Sequence, residues 1–305
     1  MKCKALSNHN NDTAPDADPI LFNRTTNEVV NLLRYEIEIQ NIKTARKKAR
    51  REKAERKVIL QQQIEEFVDP NQVQADCYLR PATDDDMEGV AAIYNAEVAV
   101  SYKVRDTQPV SIEQFHGLLR VCRLQNQPFI VAVEGRPNSG PDTPRGRILG
   151  VCLVDALQRG IFGSYATSTR PCGIITVIVH PEWRRKKIGT ALIDVIISCC
   201  STQYLCKGGY QWVCDPNDVT HTEPAYNARK WATLQMDVLV RSGKTKKDVQ
   251  ESEEYQWTLD FLEAKFNLHF VKHDQYVGRT PHRITGFDPW LDRLIFEHRC
   301  REFRT

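Results

Sequence analysis

Four consecutive cations stand between a strand-forming run and a helical pattern. Residues 175–179 all favour β-structure, and all but Thr176 are apolar. Residues 184–187 read Arg-Arg-Lys-Lys, and Gly189 opens an apolar helical pattern. The first amides of a helix lack internal partners, and the helix dipole adds roughly half a positive charge at that end. A strand, a basic loop and a helix start in this order predict a phosphate site, and the charge density favours a pyrophosphate.

Hydrophobic periodicity indicates the elements that position this loop. Thr83 and Ser111 each begin a capping box, so two helices are predicted after a short strand at residue 78. Residues 128–133 and 148–154 read as consecutive strands, and the almost wholly apolar run 172–179 reads as a strand buried on both faces. A helix, a strand ending in YQWVCDPND, another helix and a last strand follow. This order predicts an α/β (mixed α+β) fold with a central mixed sheet flanked by helices.

Charge is concentrated in one segment of the 305 residues. The net charge is +3, yet residues 43–57 contain nine Lys or Arg and two Glu. We predict a disordered N-terminus over 1–25, a long basic helical extension over 26–69, and one domain, large enough for an enzyme, over 76–305. That domain is expected to carry an inserted segment at about 219–257, because this stretch is polar and rich in charge.

Several classes of protein are disfavoured by composition. The ten cysteines include no CxxC pair, and the first residues lack the apolar core of a signal peptide, so we expect a reducing, cytoplasmic or nuclear location. No apolar run approaches the eighteen or so residues of a membrane span. A zinc site could draw on Cys199, Cys200, Cys206, Cys214 and His221, but their spacing fits no standard pattern, and no metal is predicted.

The basic segment 43–57 has three interpretations. It could be a solvated helix whose ends alone pack on the domain. It could also bind nucleic acid or an acidic partner, or act as a nuclear-import signal, since clustered cations bind phosphate backbones without sequence preference. A basic leucine zipper is less compatible, because only Leu60, Ile64 and Phe67 could form its seam.

The stretch VIVHPEWRRKKIGTAL resembles the acetyl-CoA loop of the GNAT superfamily of N-acyltransferases. Arg184, Lys187 and Gly189 occupy the three fixed positions of its Arg/Gln-x-x-Gly-x-Gly/Ala pattern, with a lysine where a glycine is expected at 187. The segments YLRPATDDDMEGVAAIYNAEV, TQPVS, PND (216–218) and WLD (290–292) are similar to the phosphinothricin acetyltransferase branch. The resemblance covers about residues 78–298.

The resemblance implies a GNAT-like fold and acetyl-CoA as acyl donor. Backbone groups at the end of the central strand would hold the pantetheine arm, amides of the loop would hold the diphosphate, and the asparagine of PND would contact the arm. The implied cofactor-binding residues are Val177, Ile178, Val179, Arg184, Arg185, Lys186, Lys187, Ile188, Gly189, Thr190 and Asn217.

The sequence lacks some of the catalytic groups that the resemblance implies. The glutamate that serves as base in related enzymes corresponds to Ile174 here, and the position of a possible general acid on the last helix corresponds to Glu263. Asp215, placed after the strand expected beside the splayed edge, is the first substitute base. His180 and Asp155, and a water relay, are the alternatives.

The leading function is therefore acetyl transfer from acetyl-CoA to a primary amine of a small, amino-acid-like molecule. Acetylation of protein amines, with residues 43–57 docking a nuclear or acidic partner, is an alternative. A module that binds acyl-CoA without turnover is another. The sequence makes no prediction of the oligomeric state.

Overall fold

The computed structural model describes residues 26–66, 69–101, 103–104, 106–137, 146–157, 172–223, 231–243, 245–279 and 290–301. It divides into two compact units, Met1–Val68 and Asp69–Thr305. The first contains helix α1, Thr26–Glu66, which lies within the predicted helical extension. The predicted disordered segment 1–25 lies outside the described residues. From residue 30 to 59 the side chains of α1 are exposed apart from a half-buried Ile39.

The second unit is built on one mixed sheet of eight strands. Its order is β5-β1-β2-β3-β4-β6-β8-β7. The strands are β1 (Cys77–Pro81), β2 (Phe129–Glu134), β3 (Ile148–Ala156), β4 (Cys172–Val179), β5 (Gln211–Trp212), β6 (Thr233–Arg241), β7 (His269–Arg279) and β8 (Trp290–Arg299). The predicted α/β class, a mixed sheet flanked by helices, is confirmed.

Helices cover both faces of this sheet. The helices are α2 (Met87–Val100), α3 (Ile112–Leu124), α4 (Ile188–Cys200), α5 (Lys246–Gln250) and α6 (Glu253–Leu259), which continues into a π-helical turn, Asp260–Ala264. Both predicted capping boxes form, with Thr83 paired to Asp86 and Ser111 to Gln114. None of the described helices is long and apolar enough to cross a membrane.

Alternation along the strands separates two apolar clusters. Val131 and Val133 of β2 pack with α2 and α3, whereas Ile130 and Ala132 pack with α4 and the end of the α6 helix. Because successive strand residues point to opposite faces, each cluster takes every second residue. β2 and β3 are therefore buried on both sides, whereas β4 is less enclosed than its apolar run predicts, with only Gly173, Ile175 and Ile178 buried.

Two predictions about the strand after α4 are wrong. The strand within YQWVCDPND was expected beside β4, but β5 pairs in parallel with β1 at the opposite edge of the sheet. The neighbour of β4 is β6, which lies inside the segment 219–257 predicted as an insertion. The polar face of β6 lowers the mean hydropathy of TLQMDVLVR, so the strand resembles the charged residues around it.

Candidate functional site

Strands β4 and β6 separate towards their carboxyl ends. They pair in parallel only where Cys172, Gly173 and Ile174 face residues 233–235. On its other side β4 remains paired with β3 as far as Val179. Among the described residues no strand pairs with the β6-facing edge of β4 beyond Ile174. The sheet therefore has a split whose wall is the edge of β4 from residue 175 onward.

The hydrogen-bond register determines which backbone groups face the split. His180 N donates to Leu149 O, and Leu157 N donates to Cys172 O, so even-numbered residues of β4 bond β3. Odd-numbered residues direct their N–H and C=O groups to the opposite edge. Val177 and Val179 therefore face the split. The backbone of Ile178 faces β3, and its predicted contact with the arm through backbone groups is wrong.

The loop between β4 and α4 forms a concave set of amides. A 3₁₀ turn spans Pro181–Trp183, and then Arg185 and Lys187 both adopt left-handed backbone conformations, each with φ of 63°. The first hydrogen bond of α4 runs from Ala191 N to Lys187 O. Within the described part of the chain, the amides of residues 185–190 have no hydrogen-bond acceptor. Successive free amides around left-handed residues create an anion-binding concavity, and the start of a helix strengthens it.

Three of the four predicted loop cations make contacts that hold the loop. Arg184 donates through Nε to Val179 O at 3.1 Å and through Nη2 to Glu97 Oε1. Lys186 Nζ lies 4.0 Å from the centroid of the Trp183 ring. Lys187 Nζ donates to Pro70 O at 2.7 Å. Arg185 is exposed. The amides therefore supply the directed donors, and the side chains set the shape and charge of the loop.

Gly189 lies against the end of β4. A Cβ added there would be 3.4 Å from Val179 Cγ2, which is an ordinary contact. The backbone of α4 thus approaches β4 closely at its first turn, and this approach places the amide concavity beside the split edge. Ile188 belongs to the apolar cluster against which Val177 and Val179 pack, and Thr190 follows in the first turn of α4.

Asp215 and Asn217 are not part of this arrangement. They follow β5, which runs antiparallel to β4 in sheet sense, so they lie at the end where β4 begins rather than where it ends. Asn217 N and Nδ2 both donate to Asp215 Oδ1, forming a local turn. The prediction that Asp215 stands beside the split is wrong, because β6 and not β5 borders β4.

A histidine anchors this same distant turn. His221 Nδ1 lies 2.7 Å from Asp218 Oδ2, and Phe129 N donates to His221 Nε2 at 3.1 Å. Burial alone would raise the pKa of the Asp218 carboxyl, but the hydrogen bond with His221 holds it below its ordinary value. No group of three or more His, Cys, Asp or Glu among the described residues is placed to hold a metal ion.

The other predicted acid–base groups are engaged in local contacts. Glu263 Oε1 accepts from Phe270 N at 2.7 Å, which ties the helix end to β7. Asp155 Oδ1 accepts from Ala156 N at 2.8 Å. His180 Nδ1 accepts from Glu182 N at 3.3 Å and caps the 3₁₀ turn. These contacts stabilise the ends of local elements.

Two carboxylates that the sequence reasoning did not select adjoin the split. Glu97 on α2 is buried and pairs with Arg184. Asp237 on β6 shares a sheet face with Ile174 and Thr176, since Gln235 is in register with Ile174 and alternation places residue 237 on the same side. The alternating pattern of β6 could have revealed Asp237. No local signal marks Glu97, since its partner is 87 positions away.

Comparisons with known proteins give matches of structure alone. No family model matches the chain, and no curated protein matches it. A GNAT superfamily phosphinothricin acetyltransferase from Sinorhizobium meliloti, solved with AcCoA, is 13% identical with a TM-score of 0.48, covering 74% of this chain and 89% of that one. The yncA acetyltransferase structure from Salmonella typhimurium, with its cofactor acetyl-CoA, is 13% identical with a TM-score of 0.49, covering 76% and 98%. A ribosomal-protein-alanine N-acetyltransferase from Brucella melitensis is 17% identical with a TM-score of 0.46, covering 72% and 98%.

Proposed function

We propose that the second unit is an acetyltransferase that uses acetyl-CoA as acyl donor. The observation that carries this proposal is the continuity between the free amides of residues 185–190 and the unpaired edge of β4. Such a site suits a ligand that joins a diphosphate to a chain with its own amide groups. The diphosphate would accept from the loop amides, and the arm would pair with Val177 and Val179 as an added strand.

Val179, at the end of β4, would both pair with the arm and stabilise the oxygen of the reacting thioester. Acetyl-CoA, when bound, would supply a thioester whose acyl carbon is attacked by an amine, so that a C–N bond forms, the C–S bond breaks, and the CoA thiolate leaves and takes up a proton from solvent. The amide of Val179 faces the split and would donate to the thioester oxygen as negative charge develops there. Arg184 already donates to Val179 O and so holds this residue in place.

Asp237 is the carboxylate that we assign to accept the proton of the amine. It lies on the strand across the split, on the same face as Ile174, where the resemblance implies a glutamate. Gln235 Nε2 donates to Asp237 Oδ1 at 2.5 Å, and Arg293 Nη1 lies 3.5 Å from Oδ2. These contacts hold the carboxylate in place, and Arg293 also donates to Asp274 at 2.6 Å.

The acceptor that we propose is the primary amine of a small, amino-acid-like molecule. A protein amine and a module without turnover are the alternatives. Calorimetry with acetyl-CoA tests the loop, and release of free thiol with a panel of small amines and peptides tests transfer. We expect binding with 1:1 stoichiometry and thiol release that depends on a small amine. Binding without release for any amine would favour the non-catalytic module.

A second function is proposed for α1 from the arrangement of its charges. Lys43, Arg46, Arg50, Lys53 and Lys57 recur at spacings of three and four, so they form one stripe about 21 Å long. Alanines are the only apolar residues between Lys43 and Lys57. No ion pair joins these cations to described acids. The stripe suits a phosphate backbone, which offers charge but no apolar pocket, and we propose that α1 binds nucleic acid.

Matched substitutions on α1 test the stripe. Changing Lys43, Arg50 and Lys57 to Gln should weaken binding of a labelled DNA duplex, measured by anisotropy, more than the same change at Lys48, Arg51 and Arg56. Both triple variants remove three charges, so net charge alone predicts equal losses. Equal losses, or equally tight binding of polyglutamate, would contradict recognition of nucleic acid by the stripe.

A further inference from the structure

A small, open surface pocket adjoins the first turns of α4. Thr190 and Asp194 form its wall on α4, Lys207 belongs to the loop that follows α4, and Lys265 lies at the end of the helix before β7. Asn71 closes another side. The pocket begins at Thr190, so it lies within about one helical turn, 5.4 Å along the axis, of the free amides described above.

The acidic side chain of this pocket is already satisfied. Asp194 is buried and accepts hydrogen bonds from the hydroxyls of Tyr204 and Tyr210, the thiol of Cys206 and the amides of residues 207 and 208. Burial raises the pKa of both tyrosine hydroxyls, and hydrogen bonds to Asp194 raise it further, so they remain donors. Five donors converge on one carboxylate. Its charge is thus offset by oriented dipoles rather than by either lysine.

The ammonium groups of the two pocket lysines lie over aromatic rings. Lys207 Nζ lies 5.7 Å from the centroid of the Phe266 ring, and Lys265 Nζ lies 5.7 Å from that of Phe261. Neither makes an ion pair with a described acid. Burial lowers the pKa of Lys207, and the neighbouring charge of Lys265 lowers it too, against the opposing effect of Asp194. A bound anion would relieve this repulsion.

We propose that Lys207 and Lys265 form a second phosphate site, which takes the 3′-phosphate of the nucleotide whose diphosphate lies on the loop amides. This proposal rests on the acetyl-CoA function proposed above, and it deepens that function by naming a source of donor selectivity. CoA carries a diphosphate and a separate ribose phosphate, and the protein has two adjacent cationic regions, one of amides and one of lysines. The protein would therefore distinguish CoA from 3′-dephospho-CoA.

Calorimetry with CoA and 3′-dephospho-CoA tests the site. The wild-type protein should bind CoA at least about tenfold more tightly, a difference of about 1.4 kcal/mol. The double variant Lys207→Ala/Lys265→Ala should bind the two nucleotides with nearly equal affinity, mainly by losing affinity for CoA. The double variant Lys207→Arg/Lys265→Arg should keep the preference. Lys247→Ala, at an exposed lysine on α5 paired with Glu251, is the control and should leave both affinities unchanged.

The outcomes separate the site from the function on which it rests. Equal affinities for the two nucleotides in the wild-type protein would overturn the phosphate site and leave the acetyl-CoA proposal standing. A tenfold preference that persists in the alanine double variant, with an unchanged melting temperature, would also overturn it. Absence of binding of either nucleotide would overturn the proposed function together with the site.

Discussion

Arg184 and Glu97 join the loop after β4 to helix α2. The guanidinium donates to the buried carboxylate and also reaches Val179 O at 3.1 Å, so one side chain connects α2, the loop and the end of β4. The carboxylate is almost fully buried, whereas the arginine side chain is 47% exposed. The pair therefore matters chiefly because it neutralises a charge that water does not reach.

Breaking this pair from either side should have unequal effects. Arg184→Met leaves Glu97 buried and unpaired, and we expect a loss of about 1–3 kcal/mol in the free energy of unfolding. Glu97→Gln should cost less, since it removes the buried charge itself. In urea unfolding the double variant should recover part of the loss, with a coupling energy of about 1 kcal/mol or more. Strict additivity would contradict a direct interaction.

Gly189 separates steric from electrostatic effects at the loop. Gly189→Asp should weaken binding of acetyl-CoA about 100-fold or more. The new carboxylate would stand where the diphosphate is proposed to bind, and the two negative groups would repel each other. Gly189→Ala should bind nearly as well as the wild type, since an added Cβ makes only an ordinary contact at 3.4 Å. Calorimetry on both variants checks this. Equal affinity of the aspartate variant and the wild type would remove the loop from the binding site.

Lys187 occupies a left-handed position where the resemblance expects glycine. With φ of 63°, any side chain at this position is strained by about 1–2 kcal/mol relative to glycine. Lys187→Gly and Lys187→Ala both lose the hydrogen bond to Pro70 O, so the comparison isolates the backbone. In urea unfolding, the glycine variant should have a free energy of unfolding about 1 kcal/mol higher than that of the alanine variant. A more stable alanine variant would show that the loop has another conformation.

Asp237 and Asp215 provide a matched pair for the chemistry. Asp237→Asn should lower the rate of thiol release about 100-fold at neutral pH, with little change in affinity for acetyl-CoA. The deficit should shrink at high pH, where the amine is already deprotonated. Asp215→Asn, in the turn after β5 at the edge of the sheet, should retain the wild-type rate. A loss in Asp215→Asn with none in Asp237→Asn would reverse the assignment.

Local sequence patterns determined much of the site. The apolar run of β4, the four cations and Gly189 predicted a strand, an anion-binding loop and a helix in contiguous residues. Capping boxes at Thr83 and Ser111 predicted where two helices begin. These features depend on residues close together in the sequence, and the types of those residues set the local backbone conformation.

Only the tertiary structure decided which strand borders the split. Pairing of β4 with β6 rather than β5 depends on contacts between segments about 60 residues apart, and a polar face concealed β6 within a charged stretch. The same pairing brought Asp237 to the split and carried Asp215 to the far edge. Lys207 and Lys265 likewise meet only through folding. Sheet order and the meeting of distant charges arise from packing free energy over the whole domain, which no local pattern of residues specifies.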